Sequence, residues 1–270
     1  MIRFTAEAED GGMELAGGEL LASSYLGAET GRMINVWWAD GQAAAAGAVI
    51  EAAVQAAGPG AELHLTANAE TDDRIGERLA LFESAGFTLW QEKEGVWWTD
   101  TGQELPAPDG VQVRTLAGIG RERYAQVIAD ATDGTLDRID ADAIAVMGAA
   151  GWAAALIDDA AQPEEEDIWF VIENSRRDAV GYVAVGAFAA GTGTVLHIGV
   201  SRAHRGHGYI DQLLRLANRA ARSRGWTGML SDVDTVNQPM LAAMDRNGHQ
   251  ASATTWHRWM YRRHVAGSPA

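Results

Sequence analysis

The residues best suited to chemistry fall between positions 197 and 237. Arg205-Gly206-His207-Gly208-Tyr209 stands directly before Ile210, Leu213, Leu214 and Ala217, which recur at helical spacing. A helix start leaves main-chain N–H groups unpaired and carries partial positive charge. Glycines there let the backbone approach a ligand closely. Such a turn suits holding a phosphate or diphosphate; the competing reading is an ordinary strand-to-helix connection. His197, just upstream, has a side chain that titrates near neutral pH. Asp232 and Asp234 alternate further on and so share one strand face. They read as a carboxylate pair for a cation or a proton, or as a strand-end turn capping the helix that starts near Asn237.

Two strand–helix units must position these groups. Val195, Leu196, Ile198 and Val200 read as a buried strand running through the glycine turn into the helix. Gly228 to His249 reads as another strand, then Asn237, a short helix and Gly248. Together these stretches resemble the cofactor-binding half of the GNAT acyltransferases, whose motif is Arg/Gln-x-x-Gly-x-Gly/Ala after a strand. Arg205 and Gly208 match the motif, whereas Ile210 stands where the family has Gly or Ala. Asn237, Met240, Ala243 and Gly248 keep the family's spacing, and the resemblance covers Val195 to Arg263.

The resemblance implies transfer of an acetyl group from acetyl-CoA, or of another acyl group from its acyl-CoA, to a small-molecule amine by direct attack. A chain without cysteine fits a reaction with no thioester on the enzyme. The main chain of Gly206, His207, Gly208, Tyr209 and Ile210, with Arg205, would face the cofactor's diphosphate. The strand edge at Ile198, Gly199 and Val200 would bind the pantetheine arm and supply the oxyanion donor. Asn237 would help hold the cofactor, cap its helix, or both. In the family, side chains reaching the active site share the parity of Thr194 and Leu196, so His197 is expected to point away. It nevertheless stays a candidate base beside Asp232 and Asp234. Met244 occupies the family's tyrosine-acid position, which leaves Tyr209, water or no group as acid for the departing thiolate. Arg215, Arg219 and Arg222 share a helix face; they either reach an adenosine 3′-phosphate or form a solvated face. The alternatives are a GNAT-fold enzyme with another donor, a longer acyl-CoA or an aminoacyl-tRNA, and a non-catalytic acyl-CoA-binding sensor. No metal is expected.

Composition sets the outer bounds. The chain has 270 residues, enough for two small domains. A net charge of −16 argues against nucleic acid or an anionic membrane as partner. Residues 195–270 reverse the trend, with 10 arginines against 4 aspartates, around the proposed phosphate site. The start, MIRFTAEAED, has no signal-peptide pattern, and no apolar run reads as a membrane span. These features fit a cytoplasmic monomer or homodimer.

The fold class expected is α/β (α+β): two GNAT-like domains, each a mixed central sheet flanked by helices, the first shortened and degenerate. In the first half, strands are expected at 2–8, 33–38, 61–67, 87–92 and 95–100, with helices at 41–57 and 72–85. The order reads as repeating in the second half at an offset of 162 residues, which aligns Trp38 with Val200 and Gly86 with Gly248; the competing reading is coincidence between two alanine-rich α/β segments. The first copy's turn, residues 41–47, lacks an Arg-Gly-x-Gly, and that copy would serve as scaffold or as a wall of the acceptor site. The boundaries expected are 1–103, a Pro/Gly-rich linker at 104–110, 111–263, and a disordered tail at 264–270. Helices at 121–130 and 140–158 and a hairpin of 168–172 with 179–188 complete the second domain.

Overall fold

The computed structural model describes residues 1–7, 14–22, 31–69, 73–251 and 257–266. Packing divides the chain into two compact units: Met1–Lys93 with Trp256–Ala270, and Glu94–Thr255.

The first unit contains β1 (Ile2–Glu7), β2 (Glu14–Ala22), β3 (Gly31–Trp38), α1 (Ala43–Ala57), β4 (Glu62–Asn68), α2 (Ile75–Ser84) and the start of β5 (Thr88–Thr99). β1, β2 and β3 form an antiparallel meander. β3 and β4 are parallel neighbours, a pairing that needs the α1 crossover between them. The alanine-rich α1 has high helix propensity and stops at Gly58, whose φ is 78°. Its buried face, Val49, Ile50 and Ala53, packs with Leu63, Leu65 and Phe82. The C-terminal strand β12 (His257–His264) returns to this unit, antiparallel to β4, and buries Tyr261 in the same core.

The second unit starts with the rest of β5, followed by β6 (Gln112–Thr115), the short α3 (Leu116–Ile119), α4 (Arg121–Ala131), α5 (Arg138–Ala160), β7 (Phe170–Glu173) and β8 (Ala179–Ala189). It continues with β9 (Thr192–Val200), α6 (Tyr209–Ser223), β10 (Gly228–Asp234), α7 (Gln238–Arg246) and β11 (His249–Ala251). The sheet order is β5-β10-β9-β8-β7-β6, with β11 on β5. β6 to β9 run antiparallel and β9 and β10 run parallel. β8 is buried over seven consecutive residues, the pattern of a strand covered by helices on both faces.

The structure differs from several sequence expectations. β5 is one unbroken strand, because Glu94-Gly95 continues the ladder rather than turning. The packed units therefore divide inside that strand, upstream of residues 104–110. Segment 100–109 lies along α6: Arg222 pairs with the Asp100 carboxylate at 2.5 and 2.8 Å, Arg219 donates to Leu105 O at 2.6 Å, and Gln212 exchanges bonds with the Asp109 main chain. The Arg222 bond holds the Asp100 carboxyl below its usual range. Arg215 donates to Asp211 O within α6. So this arginine stripe serves the fold. Helix α5 is apolar and long enough for a membrane crossing by length and composition, which the sequence reading did not anticipate. Gly148, at φ 73° and ψ 157°, breaks it into two shorter helices. In the expected tail, Val265 exchanges main-chain bonds with Gly60 and Ala61. Residues 8, 252–256 and 267–270 of the expected strands and tail lie outside the described residues.

Candidate active site

β9 and β10 pair at Thr192↔Gly228 and Gly193↔Met229 and then part. Beyond that point Val195 N–H reaches the Ser231 hydroxyl instead of a strand partner. Ser201 N–H donates to Val180 O at 2.9 Å, which makes Gly181–Val200 a non-hydrogen-bonded pair. Strand alternation then turns the N–H and C=O of Val200 and Ile198 away from β8 and into the gap. Val200 O accepts from Arg205 Nε at 3.1 Å; the rest of this edge can receive an extended amide chain as an extra strand.

The turn after β9 carries Gly206 at φ 80° and Gly208 at φ 77°, both in the left-handed region that favours glycine. A Cβ at either would meet nothing within 4 Å, so the space outside both is open. Among the described residues, no protein group accepts from the N–H of Gly206, His207, Gly208, Tyr209 or Ile210. Five unpartnered donors at the positive end of α6 make an anion site.

These elements bound a cleft of about 390 Å³. Ile198, Gly199 and Val200 line one side, and Arg205, Gly206, Gly208, Tyr209 and Ile210 line another. Asn237 and Met240 of α7, and Gly134, Thr135 and Leu136 from the α4–α5 connection, complete it. The structure thus brings together every sequence-predicted cofactor residue except His207, whose Nδ1–H points back to the carbonyls of Arg205 and His204. Asn237 caps α7, its Oδ1 accepting from Met240 N–H at 3.3 Å. The Arg205 guanidinium is turned into the protein, onto the carbonyls of Val200, Ala131, Asp133 and Gly134.

His197 does not point away from the Thr194 face. β9 carries a bulge: Ala184 pairs with His197 and Val185 with Val195, leaving Leu196 as the extra residue. The alternation slips by one, and His197 joins Thr194 and Gly199 on the face of Ala184, Gly186 and Tyr182. There the Tyr182 hydroxyl meets His197 Nδ1 at 2.6 Å, and His197 Nε2 meets Asp140 Oδ2 at 2.9 Å. Trp152 packs edge-on against the imidazole. Burial, with the Asp140 charge adding to it, raises the Tyr182 pKa well above 10. The hydroxyl therefore keeps its proton; Nε2–H donates to the Asp140 carboxylate, and in the neutral ring that leaves Nδ1 to accept from the hydroxyl.

Asp140 lies in the first turn of α5, capped by Asp137, whose Oδ1 accepts from Ile139 and Asp140 N–H. Asp234 is buried, accepts from Val236 N–H, and faces Arg138 through its main-chain N–H (3.4 Å) and Nε (3.7 Å). Asp232 is half-buried. Met244 packs in a core with Val96, Leu214 and Val233. Among the described residues, no three His, Asp or Glu side chains gather as a metal site.

Sequence reasoning missed Asp140, Tyr182, Trp152 and the 134–136 wall. The one local signal was Asp137-x-x-Asp140, an acidic residue three positions after a capping aspartate.

Residues 137–249 match the family model described as acetyltransferase (GNAT) family. This stretch is a GNAT acyltransferase domain. The match spans α5 to β11 and so contains the glycine turn, the parted strands and the Asp140–His197 pair. A search of curated proteins finds no match. Among solved structures, the chain is similar to a GNAT N-acetyltransferase from Sphaerobacter thermophilus, with TM-score 0.70 and 16% identity over 99% of this chain and 82% of that one. It is also similar to a tandem GNAT protein from the clavulanic acid biosynthesis pathway, with TM-score 0.58 and 14% identity over 96% and 82%. A GNAT-family acetyltransferase from Colwellia psychrerythraea gives TM-score 0.57 and 10% identity over 96% and 84%. At these identities the likeness is one of fold. It spans both units, so the GNAT-like order extends into the first.

That first unit has its own version of the gap, closed by its own side chains. β3 and β4 pair from Gly31↔Glu62 to Ile34↔Leu65. Past that point Arg78 donates to Val36 O at 2.9 Å and Arg74 to Trp38 O at 3.0 Å. Both guanidinium groups also stack over the Trp38 ring.

Proposed function

We propose that the GNAT domain transfers an acetyl group, or a close acyl group, from its CoA thioester to the amine of a small molecule. The observation that carries this reading is the row of unpartnered N–H groups from Gly206 to Ile210 at the mouth of a cleft opened by two parting strands. The cleft fits the donor: open space outside two positive-φ glycines takes a diphosphate, and the edge of Ile198 and the Val200 N–H suit the amides of a pantetheine arm, while Val200 O is held by Arg205 Nε. When bound, the acyl-CoA supplies an activated thioester carbonyl.

The chain's own groups do the rest. An N–H on the β9 edge donates to the carbonyl oxygen as it gains negative charge. Asp140 and Asp232 favour a cationic acceptor, and Asp140 is the acceptor for the ammonium proton, with His197 Nε2–H fixing its carboxylate. The amine nitrogen bonds to the carbonyl carbon and the C–S bond breaks; of the two protons the ammonium loses, the first passes from Asp140 to water and the second ends on the departing thiolate. Tyr209, on the cleft wall, is the tyrosine available to donate to sulfur. The first unit works as scaffold, because Arg74 and Arg78 occupy the edge a second donor would need. A cytoplasmic site, where acyl-CoA is abundant, suits this chemistry.

Thermal shift with acetyl-CoA, longer acyl-CoAs and CoA tests the donor site, since stabilisation grows with ligand concentration over Kd. Thiol release over an amine panel then tests the reaction. Binding without thiol release over the panel would favour a sensor, and no stabilisation by any CoA species would remove the reading.

A further inference from the structure

The Arg205 guanidinium has five N–H donors, and four are committed to protein carbonyls. Nε donates to Val200 O at 3.1 Å and Nη1 to Gly134 O at 3.2 Å; Nη2 donates to Ala131 O at 3.1 Å and Asp133 O at 2.6 Å. Three of these acceptors belong to one stretch, the end of α4 and the connection to α5. A helix C-terminus leaves carbonyls unpaired and carries partial negative charge, so a cation there is doubly favoured. Arg202 adds a contact to the Asp133 carboxylate at 3.4 Å.

This stretch forms part of the cleft. Gly134, Thr135 and Leu136 line it. One residue later Asp137 caps α5, and the first turn of α5 carries Arg138, which faces Asp234, and Asp140, which holds His197. One guanidinium therefore joins the end of β9 to the wall of the cleft, just ahead of the helix bearing the proposed proton acceptor.

We propose that Arg205 is a positioning residue that sets the 131–137 wall of the cleft, and is not the side-chain ligand of the diphosphate. The donor's identity rests on the acyl-CoA reading; the clamp itself does not. Lysine is no substitute, because one ammonium cannot present the planar fork that spans Val200 O and the three loop carbonyls.

The test uses Arg205→Lys and Arg205→Gln in the full chain. In ligand-free protein, amide exchange over 131–137 should accelerate in both variants while α6 and β8 keep their protection. Affinity should fall by about tenfold or more, and by the same factor for CoA and for S-acetylpantetheine, which lacks the diphosphate. A side-chain phosphate ligand predicts a loss confined to CoA and largely restored by lysine; either result, or unchanged exchange over 131–137, overturns the proposal. Should the variants not fold, wild-type protein labelled with ¹⁵N-arginine decides. The Arg205 Nε–H signal should be protected without ligand and unmoved on adding CoA, and a signal that exchanges freely or shifts with CoA overturns the clamp. If CoA does not bind at all, the donor reading fails, while the exchange and Nε–H measurements still judge the clamp.

Discussion

Gly208 contributes through one dihedral angle and an empty space. At φ 77° it starts α6 without strain, and nothing lies within 4 Å of where its Cβ would be. Gly208→Asp adds a left-handed non-glycine residue, costing about 1–2 kcal/mol, and sets a carboxylate among N–H groups meant for an anion. The expected result is a folded protein whose CoA affinity, by titration calorimetry, drops at least about a hundredfold, roughly 3 kcal/mol. Wild-type affinity would detach the turn from the cofactor. On the proposed mechanism Asp140 acts on the other substrate. Asp140→Asn should cut kcat by about 10²–10⁴ with donor KM little changed in thiol-release assays. Tyr182→Phe should cost less, since it removes only the bond that fixes the His197 tautomer. A Tyr182→Phe loss equal to that of Asp140→Asn would mean the chain of three acts as a unit.

At the scale of elements, what the sequence showed and what it hid have separate physical causes. Ile198 to Val200, Gly206, Gly208 to Ile210 and Asn237 sit on a strand–turn–helix and a helix cap, whose geometry is set by near neighbours. Apolar spacing and glycine placement marked the strand, the turn and the helix start, and the resemblance to GNAT enzymes supplied the roles expected of them. The orientation of His197 was not legible, because a bulge is visible only in the pairing with the next strand, where Leu196 has no partner in β8. Arg205 looked like a phosphate ligand by its place in the motif, yet its acceptors lie some 70 residues upstream. Asp137 shows how an element's end serves the site: by capping α5 it fixes the turn that presents Asp140. Asp137→Ala should lower stability by about 1 kcal/mol and raise acceptor KM more than donor KM. Equal changes in both would reduce the cap to a stability role.

For the whole molecule, the boundary between units was hidden because β5 runs unbroken through it and β12 packs with the first unit, facts of pairing that composition does not carry. Burial on this scale also sets a pH limit. His249, in the second unit, is 1% exposed; its Nε2–H donates to Asn218 Oδ1 at 2.9 Å, while its Nδ1 is buried with no partner among the described residues. Protonating Nδ1 would create a buried N–H without an acceptor, and burial pushes the imidazole from 6.5 down to about 4. Above pH 6.5 the folded and unfolded states both carry a neutral ring. As pH falls from 6.5 toward 4, the unfolded chain takes up a proton that the folded chain refuses, so stability falls, by about 3 kcal/mol in all; below 4 this contribution levels off. Burial shifts His64 in the first unit in the same direction. His249→Gln keeps a side-chain N–H for Asn218 and removes the titration. Urea midpoints measured between pH 7.5 and pH 4 should therefore fall less steeply for the variant, with the two curves parallel above pH 7. Parallel curves throughout would mean that His249 takes its proton without unfolding, and that the packing of Trp98, Asn218 and β11 around it yields at mild acid.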